Sequence, residues 1–210
     1  MKAARAVHVI GAGGHAKVVV ATIRAAGLDV ECAWDDDPRR RGGDVLGAPV
    51  RGSVDDVPAG VPIVVAIGSN VVRRDVVARL GAREFCTVAH PSAVVHPSAT
   101  LGMGTVVFAG AIVQPDARLG AHVIVNTAAS VDHDCLVEDF VHVAPGARLA
   151  GGVSVREGAL FGIGSCALPG VEVGSWAIVG AGGVVVTPIP PRSTAVGCPA
   201  KIIERTTAQH

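Results

Sequence analysis

Between Val95 and Pro190 the chain repeats every six residues without an insertion. In register it reads VHPSAT, LGMGTV, VFAGAI, VQPDAR, LGAHVI, VNTAAS, VDHDCL, VEDFVH, VAPGAR, LAGGVS, VREGAL, FGIGSC, ALPGVE, VGSWAI, VGAGGV and VVTPIP. The first position is Val or Leu except at Phe161 and Ala167. The fifth is small or β-branched, as in Ala99, Thr105, Ala111, Ala117, Val123, Ala129, Cys135 and Val141. Gly gathers at the second and fourth positions. A period of six matches neither an α-helix nor a flat two-sided sheet. It matches a β-solenoid in which each hexad is a short strand plus a tight turn. The aliphatic residue fills the interior, the small one lets the chain turn inward, and Gly supplies backbone angles that other residues resist.

The segment before the repeats alternates strand-like and helix-like pieces. Strands are predicted at Ala6 to Ile10, Val30 to Trp34 and Ile63 to Ile67, with a last one at Glu84 to Val88. Helices are predicted at Lys17 to Ala26 and Val72 to Leu80. That order implies a small parallel α/β sheet with ligands at the strands' carboxyl ends. Three glycine- or acid-rich loops fall there: Gly11–Gly14, Asp35–Gly43 and Gly68–Asn70. The first, GAGGHA, satisfies G-x-G-x-x-A, and Asp35 near the second strand's end could hold a ribose. Fewer than a hundred residues precede the repeats, too few for a full dinucleotide fold with a separate catalytic domain. The loop reads either as a tight turn or as an anion site at a helix N-terminus.

Charge and composition exclude several classes. Lys plus Arg and Asp plus Glu number 18 each, which offers nothing to nucleic acid or an acidic membrane surface. Tyr is absent and aromatic residues are 3%, too few for base-stacking platforms. No apolar run reaches the roughly 18 residues that span a bilayer, and glycines interrupt the start too early for a signal peptide. Five scattered cysteines without a C-x-x-C pair point to a reduced cytoplasm.

GAGGHA after the first strand, WDDDP after the second, AIGSN with Arg73 after the third, and then the hexads together resemble one family. It is the sugar O/N-acyltransferase family of hexapeptide-repeat acetyltransferases, typified by bacillosamine-pathway, perosamine and sialic acid acetyltransferases. The resemblance covers nearly the whole chain. It implies a Rossmann-like sugar-nucleotide-binding domain over 1–88, a left-handed parallel β-helix over 89–195 with three hexads per coil, and a capping tail over 196–210. The implied activity is acetyl-CoA-dependent N-acetylation of a UDP- or GDP-linked amino-deoxy sugar. O-acetylation of a sugar such as sialic acid and non-catalytic sugar-nucleotide binding are the alternatives.

Carried over by motif, Gly13, Gly14, His15, Asp35, Asp36 and Gly68 would bind the sugar nucleotide. Position 13 is often Ser in that family's loop, so Gly13 offers only backbone there. His142 and Asn126 would lie at the acetyl-CoA site between neighbouring prisms, and Ile163 and Ala181 along the pantetheine arm. Gly commonly stands in the family where Ala181 does. Lys201 or Arg205 in the tail would meet phosphate or be plain exposed charges. His133 is the candidate general base, since an imidazole titrating near pH 6.5 suits deprotonation of an amine or hydroxyl attacking a thioester. Asp134 is its candidate partner, with Asp132 as the alternative carboxylate. His122, at a fourth position, reads as a surface residue, Cys135 as core, and Cys166 as either.

A zinc hydratase on the same solenoid would need three convergent histidines. His122, His133 and His142 lie eleven and nine residues apart, out of step with an eighteen-residue repeat, so no metal is expected. A dehydrogenase would rest on GAGGHA and Asp35 alone. Apolar residues outside the core around Val107, Phe108 and Ile112, with the family resemblance, imply a homotrimer with active sites between subunits.

Overall fold

The six-residue period builds a three-walled prism in the computed structural model, which describes residues 6–203. Each two-residue strand joins the sixth position of one hexad to the first of the next, as in Ile124–Val125, Ser130–Val131 and Leu136–Val137. Strands eighteen residues apart pair in parallel, Ile124 with His142, Ser130 with Arg148 and Leu136 with Ser154. The first wall runs from Val88–Ala89 to Thr194–Val196, the second from Val94–Val95 to Val184–Val185, the third from Thr100–Leu101 to Glu172–Val173. First- and fifth-position side chains form one continuous core, and Cys135 is buried in it. Phe161 shares its coil with Ala167, so the outsized inward residue is offset by an undersized one in the same layer.

Hexad fourth positions turn the corners with positive φ. Gly takes many of them, but Asp116, His122, Ala128, Asp134, Phe140 and Trp176 adopt the same left-handed angles, as does Arg192 at a corner beyond the last hexad. The last coil is two residues short: Ile178 pairs with Thr194 rather than with residue 196. The chain then reverses, and Lys201–Ile203 runs antiparallel along Thr194–Val196 as the final strand of the first wall. Arg205 lies outside the described residues.

The N-terminal unit is a six-stranded sheet of β1 (Val7–Ile10), β2 (Val30–Trp34), β3 (Asp44–Val45), β4 (Ala48–Gly52), β5 (Pro62–Val65) and β6 (Glu84–Phe85), in the order β3-β4-β2-β1-β5-β6. All neighbours are parallel except β3 and β4. Helices α1 (Gly14–Ala25) and α2 (Asn70–Leu80) follow β1 and β5. Both begin earlier than the apolar periodicity suggests, because Gly14–Ala16 and Asn70–Val71 already lie in the first helical turns. The β3–β4 hairpin, with its Gly47 turn, was not anticipated. The expected strand Glu84–Val88 is split: Glu84–Phe85 closes this sheet, whereas Val88 opens the prism.

Two expectations about the prism surface are corrected. Val107 faces inward, and Phe108 is fully buried with Val106 and Ile124 in a cluster that includes Ala16, Val19 and Val20 of α1. The chain's own N-terminal unit covers this patch of the first wall, so it is not free for another copy; Ile112 lies on the second wall and is half-buried. His122 is not a surface residue either. It is 3% exposed, stacked on Phe140 with 5.3 Å between ring centroids and edge-on to Phe85 at 4.6 Å. The corner it turns lies beneath the N-terminal unit, which hexad phase alone does not reveal.

Candidate active site

The sheet order places β1 between β2 and β5, so the chain leaves β1 to opposite sides and a crevice opens at the strands' carboxyl ends. A cavity of about 340 Å³ lies there, and its walls include Gly13, Gly14, His15, Asp35, Asp36 and Gly68. Gly11 holds the loop against β5: at φ +104, a Cβ there would sit 3.0 Å from the Ala66 carbonyl oxygen. Asp35 Oδ2 accepts the Ala12 N–H at 2.6 Å and its Oδ1 accepts the Asp37 N–H. Arg40 Nη1 donates to the Ala12 carbonyl at 2.8 Å, placing a cation beside the glycine loop that sequence reasoning missed. Asp36 accepts from Ser53 Oγ, the Val54 N–H and Arg79 Nη2. Partial burial opposes its ionisation, but the bonds from Arg79, Ser53 and Val54 hold its carboxyl below the usual range. Both carboxylates are thus committed to shaping the crevice walls.

Behind the crevice the N-terminal unit meets the prism at a polar seam. Arg73 on α2 is 1% exposed and reaches five acceptors: the carbonyls of Ile67, Gly68, His122 and Phe140, and Asn70 Oδ1. Burial pulls its guanidinium down to about 9, which leaves it protonated at neutral pH. Asn70 Nδ2 donates to the carbonyls of Gly158 and Ala159. His142 Nδ1 lies 3.3 Å from the Gly68 carbonyl and must donate to it, so its Nε2 accepts from Asn126 Nδ2 at 3.0 Å. Burial, then Arg73 and His15, depress the His142 pKa to about 4, consistent with that neutral tautomer. His15 packs against Phe108 and His142, and burial with the Arg73 charge lowers it also to about 4.

From Gly68 and His142 a groove of about 800 Å³ runs along the first wall past Leu160 and Ile178, one residue from each successive coil. Ala144, Ile163 and Ala181 line it, the N-terminal turn of α2 forms one side, and Arg74, Trp176 and Arg192 lie at its far end. Gly68 therefore belongs to both cavities. Lys201 is exposed on the terminal strand and is not among the groove's lining residues.

His133 stands elsewhere, at the corner between the second and third walls, and lines neither cavity. Its Nδ1 is 2.8 Å from Asp134 Oδ2. Asp132 Oδ1 instead accepts the His133 backbone N–H, which makes Asp134 the carboxylate that meets the ring. Asp134 can fold back because it occupies the left-handed region at φ 58, which short polar residues tolerate. The Asp134 bond, slightly opposed by desolvation and aided by Asp132, raises the His133 pKa. With Nδ1–H donated to Asp134, the basic nitrogen is Nε2. One coil on, Gly151 leaves space for the ring; a Cβ there would lie 2.5 Å from His133 Cε1 and Nε2. Gly151 stands eighteen residues after His133, the stacking interval of the coil, a signal that the sequence reading did not use.

His122, His133 and His142 form no metal-binding cluster among the described residues; the group of that kind is His8, Glu31 and Cys32. There His8 Nδ1 accepts from Trp34 Nε1 and its Nε2 meets Glu31, a satisfied network inside the sheet.

Residues 6–80 match the PglD N-terminal domain family. The acetyltransferase domain of PglB from Neisseria gonorrhoeae is 43% identical, with a TM-score of 0.89 over 95% of this chain and 100% of that one; it has also been solved with acetyl coenzyme A. Perosamine N-acetyltransferase from Caulobacter crescentus, solved as a histidine-to-asparagine variant with CoA and GDP-perosamine, is 42% identical. Its TM-score is 0.89 over 97% of this chain and 99% of that one. UDP-N-acetylbacillosamine N-acetyltransferase of Bacillus subtilis is 44% identical over 110 residues, 49% of this chain; the match spans about half of that relative, 51%. The chain belongs to the sugar O/N-acyltransferase family of hexapeptide-repeat acetyltransferases, and its prism is the left-handed parallel β-helix of that family.

Proposed function

We propose that this chain transfers an acetyl group from acetyl-CoA to the amino group of a UDP- or GDP-linked amino-deoxy sugar, with His133 as general base. The observation that carries the reading is the His133–Asp134 pair: a solvent-accessible imidazole, held by a carboxylate at 2.8 Å with its Nε2 free. Relatives that bind acetyl coenzyme A or GDP-perosamine support the substrate classes. The crevice at Gly13, Gly14 and His15 is the place for the nucleotide, with Arg40 near its phosphates. The apolar groove past Ala144, Ile163 and Ala181 has the chemistry for a pantetheine arm.

Bound acetyl-CoA supplies an activated acetyl thioester. This chain's part is to hold the amine and move its proton. As the C–N bond forms and the C–S bond breaks, Nε2 of His133 takes the proton and Asp134 stabilises the resulting imidazolium. The proton then passes to the departing CoA thiolate, which leaves as the thiol. His142, with both ring nitrogens engaged, acts as a wall of the groove and not as a second base. Because His133 lies on a different corner from the groove, the site is completed by another copy presenting its groove to this corner. The proposed assembly is a homotrimer with three shared sites.

The test is a panel of UDP- and GDP-linked amino sugars, with hydroxyl-only counterparts, assayed for thiol release from acetyl-CoA. Turnover confined to amines supports the reading; turnover of hydroxyl sugars alone, or of none, overturns it. Mixing His133→Ala subunits with subunits blocked in the groove by Ala144→Trp should restore part of the activity if sites are shared, and none if each chain is self-sufficient.

A further inference from the structure

The far end of the groove differs in chemistry from the rest. Trp176 turns a corner at φ 60 and lies flat on Gly158, where a Cβ would come within 2.4 Å of the indole. Arg74 of α2 lies over the indole, its Cζ 4.7 Å from the ring centroid. Asp75 holds the same guanidinium by its Nε and Nη2, at 3.0 and 2.7 Å. Its Nη1 makes no hydrogen bond to a described residue. Arg192 occupies the next corner along the axis, its N–H bonded to the Ser175 carbonyl. Its side chain has no hydrogen-bond or ion-pair partner among the described residues. An apolar groove therefore ends in two guanidinium groups with unused donors, one of them pre-set by an aromatic platform. A guanidinium fixed in this way loses little freedom on binding phosphate.

We propose that Arg74 and Arg192 form a phosphate subsite that reads the adenosine 3′,5′-phosphate end of the acyl donor, with Trp176 as the positioning residue for Arg74. This rests on the acyltransferase reading of the groove and specifies the donor. The enzyme selects a free acyl-CoA over an acyl-phosphopantetheine that lacks the nucleotide, such as one attached to a carrier protein. Asp75 neutralises one edge of Arg74 and keeps it from swinging into solvent.

Calorimetric titration with CoA, 3′-dephospho-CoA and 4′-phosphopantetheine tests this on the full chain. For the wild type, CoA should bind tightest. Arg74→Ala and Arg192→Ala should each weaken CoA by ~10- to 100-fold, the scale of a charged hydrogen bond, and leave 4′-phosphopantetheine unchanged. Trp176→Phe, which keeps an aromatic face under Arg74, should stay within about threefold of wild type, since the cation–π attraction persists. Trp176→Ala should behave as Arg74→Ala does, with thermal unfolding confirming that it is folded. Equal weakening of CoA and 4′-phosphopantetheine, or no weakening of either, overturns the subsite. A wild type that binds no CoA overturns the acyltransferase reading as well, so the two failures are distinguishable.

Discussion

The seam between the two units and the free corner of the prism use histidine in opposite ways. At the seam, His15, His122 and His142 crowd around Arg73, and burial with that charge lowers each to about 4. At the corner, His133 stands in solvent with its partner Asp134, and its pKa is raised. A histidine held neutral by burial is a packing element, and at His142 the donor and acceptor roles of the two ring nitrogens are fixed as well. One kept accessible and stabilised as a cation can accept a proton and release it again. Surroundings, not residue type, separate the packing histidines from the one proposed as a base.

Acid should break the seam and leave the corner's own contribution intact. The three seam histidines have folded pKa values below their unfolded value of 6.5, so the unfolded chain binds more protons between pH 6.5 and 4. Stability should be full above pH 6.5 and fall throughout that window, by up to about 4 kcal/mol per pH unit if all three act together. His133 has the opposite sign: its contribution is present below pH 6.5 and is lost as pH rises through its raised value. Denaturant midpoints across pH 4–7.5 test this, and a flat profile would show that the seam is not held neutral. His122→Phe keeps the stack on Phe140 and should remove about a third of the slope, one proton in three.

Next in size is the loss of the proposed base. His133→Ala should lower kcat by about 10²- to 10⁴-fold with little change in ligand affinity. Near-full turnover would place the chemistry elsewhere and revive the sugar-nucleotide-binding alternative. Arg73→Met tests the other side of the comparison. It fills similar space but leaves the His122 and Phe140 carbonyls without their buried donor, so we expect a loss of about 3–5 kcal/mol. An unchanged denaturation midpoint would mean that the seam's polar network carries no stability. The smallest effect is expected of Asp134→Asn, which tolerates the same left-handed backbone. It should shift the acidic limb of the kcat/KM profile to lower pH, because the His133 pKa falls without the carboxylate, and reduce kcat less than His133→Ala. An upward shift would show that Asp134 is not what raises His133.

The hexad phase made the prism legible, since inward and outward faces follow directly from first and fifth positions. It could not show which outward residues another part of the chain would cover. Phe108 and His122 occupy ordinary hexad positions, and only tertiary docking buries them. Arg73 was visible as part of a motif, yet its saturation by carbonyls from both units is non-local. At the corner, two carboxylates flank His133 in sequence, and the left-handed angle at Asp134 decides between them. Gly151, by contrast, was within reach, eighteen residues from His133 and stacked on it by the repeat already identified. The shortened last coil has its trace in Pro190–Pro191, where the hexad pattern ends.

Between Phe85, where the N-terminal sheet ends, and Val88, where the prism begins, only two residues intervene, and the two units share a buried apolar cluster. A joint so short and so packed has no slack to act as a hinge. The entropy of fixing crevice and groove relative to each other is spent once, when the chain folds, and is not charged again at each ligand encounter. Both cavities should then admit their ligands in either order without a domain closure. If the proposed assembly forms, its contacts between copies are the one boundary of the site that no covalent joint holds.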